Sequence, residues 1–174
     1  AKRIVNALKN GENILLFTDY DVDGCTSMAI MYRALIDVFH HNESSIIKLT
    51  GNRVMDGYGL TDSIAKRIIE IKPDLVITAD AGISDGDRIR YLAENGIDVI
   101  VTDHHLLPAD GSPSEAVAVI NPCQDGCPFD SEIAGCGVAW FLMTAVARKI
   151  NVSSKQKQLL FEMLDYVAQI GRAH

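Results

Sequence analysis

Positive charge is scarce in this chain. Sixteen Lys and Arg stand against 23 Asp and Glu, a net −7 over 174 residues. That balance argues against a nucleic-acid binder working through a general basic surface. It is compatible with a site for divalent cations, which bring their own positive charge. No stretch reaches the ~20 apolar residues that a membrane span needs, so no membrane partner is expected. No charged-then-apolar leader opens the chain, so a cytoplasmic location is expected. Internal repeats and low-complexity tracts are absent. The chain opens at Ala1 without Met, which reads as a fragment.

Cysteine is sparse, with four residues. Cys25 and Cys136 fall in apolar helical patterns and read as buried free thiols. Cys123 and Cys127 flank a proline-bearing loop. A zinc site there needs two more soft ligands at matching spacing, and none follows, so reduced thiols are expected.

Apolar residues make up 48% of the chain, enough for one sizeable core and one domain. Three apolar runs end in acids or histidines. Ile14-Leu15-Leu16-Phe17 runs into Thr18-Asp19-Tyr20-Asp21-Val22-Asp23-Gly24. Leu75-Val76-Ile77-Thr78 runs into Ala79-Asp80-Ala81-Gly82. Val99-Ile100-Val101-Thr102 runs into Asp103-His104-His105. Ser45–Thr50 and Ala116–Ile120 read as two further strands. Helical spacing lies between them, over 26–40, from Thr61 to Pro73, and from Ser84 or Asp85 to Asn95-Gly96. Alternation of strand and helix predicts an α/β fold: a doubly wound, mostly parallel five-stranded sheet with helices on both faces. A helical C-terminal segment follows, as one apolar helix over 135–150 and a last helix over 154–170. In such folds, ligands bind beyond the carboxyl ends of the strands.

Asp19, Asp21 and Asp23 alternate, so in an extended segment their carboxylates converge. Close carboxylates repel unless a cation lies between them. The Asp-x-Asp-x-Asp-Gly spelling resembles an EF-hand loop, but the twelfth position is Ile30 and a strand precedes it, which excludes that reading. Asp165 lies in an apolar helical pattern, where a buried acid needs a partner such as a metal. Carboxylates with imidazoles and no thiolate suit Mn²⁺ or Mg²⁺. Five or more ligands suit two ions, which together serve hydrolysis of a phosphate ester or anhydride.

These motifs, Asp19 to Gly24, Asp80-Ala81-Gly82 and Asp103-His104-His105, resemble those of the DHH phosphoesterase superfamily. Asn52-Arg53-Val54-Met55-Asp56-Gly57-Tyr58-Gly59-Leu60, Asn121-Pro122 with Cys127-Pro128-Phe129, and Ala134-Gly135-Cys136-Gly137-Val138-Ala139 narrow the resemblance to RecJ-like exonucleases specific for single-stranded DNA. Leu164-Asp165-Tyr166-Val167-Ala168 resembles the start of a fourth metal motif.

The resemblance implies one DHH phosphoesterase domain over 1–174, without the second, DHH-associated domain and the oligonucleotide-binding domain. It implies two Mn²⁺ or Mg²⁺ ions held by Asp21, Asp23, Asp80, His104 and Asp165, with Asp80 bridging and Asp19 assisting. It places His105 at the scissile phosphate. It places Arg53 and Tyr58 on the path of the strand, by phosphate pairing and base stacking. The implied activity is 5′→3′ exonuclease cleavage of single-stranded DNA in repair and recombination, with a single-strand-binding protein as a partner. The alternatives are another phosphohydrolase of the superfamily, acting on short RNA, a cyclic dinucleotide or pyrophosphate, or a non-catalytic metal-binding fragment.

Overall fold

A computed structural model describes residues 1–52 and 57–170. Helix α1, Lys2–Asn10, stops at Gly11, which takes a left-handed conformation (φ 66°). Strand β1, Ile14–Thr18, is buried along its whole length. Helix α2, Val22–Arg33, begins four residues sooner than helical spacing indicates, because Asp21 caps it by accepting the Gly24 amide. It runs on into a π-helical turn at Ala34–Val38. Strand β2, Ile46–Thr50, is followed by α3, Asp62–Ile71, capped by Thr61 as its sequence predicts. Strand β3 is Leu75–Ala79, α4 is Gly86–Glu94, β4 is Asp98–Thr102 and β5 is Ala118–Ile120. Helix α5, Gly135–Ile150, buries most of its apolar residues. The expected last helix is two: α6, Ser154–Glu162, and α7, Leu164–Ile170, broken at Met163.

The five strands are parallel, in the order β2-β1-β3-β4-β5. The expected doubly wound sheet is therefore present. Period two divides its side chains between two cores. Leu16, Ile77 and Ile100 pack with Ile4, Met31 and Met143 of α1, α2 and α5. Leu15, Phe17, Val76, Val99 and Val101 pack with Ile64, Ile68, Ile89 and Leu92 of α3 and α4. Each such fully buried aliphatic side chain contributes about 1.5–3 kcal/mol.

The chain leaves β1 toward one side of the sheet and β3 toward the other. A crevice opens where the winding reverses, beyond the carboxyl ends of β1 and β3. The turns at the other ends of the strands, around Gly11, Pro73 and Asn95-Gly96, lie at the opposite edge.

The thiols are free. Cys136 is buried, as expected, but Cys25 is exposed. Early entry into α2 turns Cys25 away from the core, and its thiol donates to the Tyr20 carbonyl at 3.6 Å. No helix among the described residues is long and apolar enough to cross a membrane.

Candidate metal centre

Three strand ends meet at the crevice. After β1, Asp19 is buried and its Oδ1 accepts the Tyr20 amide at 2.8 Å. The chain turns so tightly that a Cβ on Gly24 would lie 2.3 Å from the Asp19 carbonyl oxygen. Asp21 is exposed at the cap of α2. Asp23 is not part of an extended alternation. It lies in the first helical turn, buried, with Oδ2 and Oδ1 accepting the Gly135 and Cys136 amides at 2.7 Å each. The N-terminus of α5 is thus docked on a carboxylate, the charge its dipole favours.

After β3, Asp80 is 2% exposed and takes φ 57°, which non-glycine residues adopt rarely and at a cost of order 1–3 kcal/mol. The turn is held by Thr78, whose hydroxyl donates to the Ala81 carbonyl at 2.7 Å. From the other side α5 presses in, so a Cβ on Gly135 would fall 2.9 Å from Asp80 Oδ1.

After β4, Asp103 is almost fully buried and acts as a hub. Its Oδ1 accepts the amides of His104 and His105 and lies 2.7 Å from His105 Nδ1. Its Oδ2 accepts the Ile83 amide at 3.0 Å. Asn121, also buried, donates to the His105 carbonyl at 2.9 Å. Sequence reading assigns no specific role to Asp103 or Asn121. The adjacency of Asp103 to the two histidines is a usable signal, and Asn121 is marked by the Asn121-Pro122 motif of the resemblance, without a role attached to it.

Among the described residues, two overlapping triads bring metal-competent atoms within 4.8 Å of one another: Asp19, Asp21 and Asp80, and Asp80, His104 and His105. Asp80 belongs to both, where a bridging carboxylate is needed. His104 Nε2 stands 3.0 Å from Asp80 Oδ1 and 3.6 Å from Asp23 Oδ2. Asp80 Oδ1 is buried and faces this imidazole nitrogen at ion-pair distance. A buried carboxylate oxygen and an imidazole nitrogen this close share either a proton or a divalent cation. One triad of three carboxylates and one of a carboxylate with two imidazoles suit hard or borderline divalent ions.

Electrostatics agree. Burial pushes Asp80 up to about 6, with Asp23 and Asp21 adding to the rise and His104 opposing it. Burial also raises Asp19 against the Tyr20 amide. Asp80 raises His104, and Asp103 raises His105. Burial would raise Asp103, but His105 and the Ile83 amide hold it below the usual carboxylate range. Positive charge is what these groups lack.

Asp165 departs from expectation. It is exposed in the first turn of α7 and belongs to neither triad, because the break at Met163 resets the helical face. Tyr58 is exposed beside His105, its hydroxyl 3.2 Å from Nε2. Arg53 lies outside the described residues.

Known proteins resemble this chain in sequence and fold. The chain is 38% identical over 170 residues to the single-stranded-DNA-specific exonuclease RecJ of Haemophilus influenzae, covering 95% of this chain and 29% of that protein. It is 40% identical over 144 residues to the RecJ of Escherichia coli, covering 82% of this chain and 24% of that one. The chain thus spans under a third of the length of either relative. A crystal structure of exonuclease RecJ bound to manganese superposes with a TM-score of 0.80 at 29% identity, over 95% of this chain and 40% of that one. Residues 13–169 match the DHH family, N-terminal domain. That match takes in all three strand ends and the paired histidines, and the chain belongs to the DHH family.

Proposed function

We propose that this domain hydrolyses phosphodiester bonds of single-stranded DNA with two divalent cations, Mn²⁺ or Mg²⁺, releasing nucleotides from the 5′ end. The carrying observation is Asp80, buried and shared by both triads, with its Oδ1 3.0 Å from His104 Nε2. The likeness to RecJ supports the choice of DNA as substrate.

Asp19, Asp21, Asp80 and His104 would hold the cations, with buried Asp23 beside them, 3.6 Å from His104 Nε2. When bound, such a pair supplies Lewis acidity and lowers the pKa of a water. Asp80 keeps its carboxylate aimed at the crevice through a left-handed backbone that the Thr78 turn and Gly135 enforce. Asp103 holds His105 through Nδ1 and favours its protonated form, whose Nε2–H, facing the Tyr58 hydroxyl at 3.2 Å, would donate to a phosphate oxygen. Charge that develops on that oxygen meets a donor already in place. The chain's own acidity argues that affinity comes from the cations and a few donors, not from a basic surface. A single-strand-binding protein that presents such strands, in the cytoplasm, completes the proposal.

Incubation of 5′-phosphorylated single-stranded DNA with the chain, with and without Mn²⁺, tests this reading. Mn²⁺-dependent release of mononucleotides, lost in Asp80→Ala, is the expected result. Release unchanged in Asp80→Ala rejects the assignment. Oligoribonucleotide and pyrophosphate, assayed in parallel, establish whether another substrate of the superfamily is preferred.

A further inference from the structure

Asp85 stands at the N-cap position of α4, yet its side chain caps nothing in its own helix. Asp at this position ordinarily accepts an amide two or three residues further on. Here Oδ2 instead accepts the Leu60 amide at 2.9 Å, across 25 residues of sequence. That bond grips the loop carrying Tyr58. Gly57 and Gly59 flank the tyrosine at φ 80° and 74°, conformations that leave the loop free unless something holds it. A Cβ on Gly59 would lie 3.0 Å from Asp85 Oδ2, so the loop is drawn close against the carboxylate.

The loop delivers the Tyr58 hydroxyl to within 3.2 Å of His105 Nε2, with the two rings nearly perpendicular at 86°. On the far side of the imidazole, Nδ1 lies 2.7 Å from Asp103 Oδ1. Asp103 takes the Ile83 amide. Both nitrogens of His105 are therefore held, and both holds are anchored in residues 83–85. His105 has almost half its side chain exposed, so hydrogen bonds rather than packing fix its ring.

We infer that Asp85 is a positioning residue: it holds the Tyr58 loop so that the phenol hydroxyl sets the His105 ring for a substrate phosphate. The inference rests on the hydrolase reading above. A ring already oriented loses less freedom when phosphate binds.

Substitution separates this task from helix capping. Asp85→Ser leaves a residue suited to an N-cap at the start of α4 but too short to reach Leu60. Asp85→Asn keeps an acceptor of full length. Long-range ¹H–¹⁵N spectra of the ¹⁵N-labelled chain, with His105 assigned by His105→Gln, read the ring directly. Tyr58→Phe is expected to move the His105 Nε2 resonance. Asp85→Ser moves it by the same amount, the double variant adds nothing, and Asp85→Asn restores the wild-type position. A wild-type resonance in Asp85→Ser or in Tyr58→Phe overturns the inference, as does Asp85→Asn matching Asp85→Ser. In Mn²⁺-dependent cleavage of single-stranded DNA, Asp85→Ser and Tyr58→Phe each lower kcat/KM about tenfold, and together no further, as expected for loss of one shared hydrogen bond. A chain that cleaves no DNA sinks the hydrolase reading, while the ring spectra still decide the role of Asp85.

Discussion

Asp23 and Gly135, 112 residues apart in sequence, are joined by a 2.7 Å hydrogen bond from the glycine amide to the carboxylate. The neighbouring amide of Cys136 takes the other oxygen. The acid of the first motif is thus also the dock for α5. Its loss leaves two buried amides unpaired, so Asp23→Ala is expected to lower stability by about 2 kcal/mol even in EDTA. Urea unfolding measures this; an unshifted midpoint denies Asp23 its structural half.

The ionisation of Asp80 makes a second prediction. The folded protein holds its proton up to about pH 6. The unfolded chain releases it near 3.9. Without cations, the native state binds more protons between these values, so stability falls as pH rises from about 4 to 6, by up to about 3 kcal/mol. Asp80→Asn stays neutral throughout and lacks this slope. In EDTA at pH 7 the variant is expected to be more stable than the wild type, and Asn also tolerates the left-handed backbone better than Asp80 does with a charge. Paired urea titrations from pH 4 to 7 decide it.

Cations should restore what that repulsion removes. At a hundred times its dissociation constant, a ligand that binds only the folded state adds about 2.7 kcal/mol. Mn²⁺ is expected to raise Tm in the wild type and in His105→Gln. It should not do so in His104→Ala or Asp80→Asn. Equal stabilisation of all four proteins, read by calorimetry, contradicts the placement of the triads.

Gly24 has no room for a methyl group, because a Cβ would lie 2.3 Å from the Asp19 carbonyl oxygen. Gly24→Ala must open the turn between β1 and α2. A loss of about 3 kcal/mol is expected, along with weaker Mn²⁺ binding, since Asp19 and Asp21 flank that turn. Thermal unfolding followed by circular dichroism, with and without Mn²⁺, checks both.

Much of this was legible in the sequence. Continuous apolar runs such as Leu75–Thr78 belong to strands covered on both faces, and those runs end where the crevice opens. Asp80 and His104 could be placed because strand ends are fixed by the sheet. What local pattern missed was non-local or depended on a cap. Capping by Asp21 started α2 early, which exposed Cys25 and moved Asp23 from an extended segment into a helix. The docking of α5 on Asp23 joins distant segments, and no spacing rule reaches across them. Asp165 sits in an apolar helical pattern that spans Met163, but the helix breaks there, so the inferred burial does not hold.

Division of labour between the two ends of the sheet has a practical use. Both triads lie beyond the carboxyl ends of the strands, and the exposed Asn95-Gly96 turn enters β4 from the other end. Five residues of strand separate the two, roughly 16 Å. A cysteine-free variant with a spin label or fluorophore at Asn95 would therefore report on paramagnetic Mn²⁺ from a fixed, calibrated distance, without a probe ever entering the crevice.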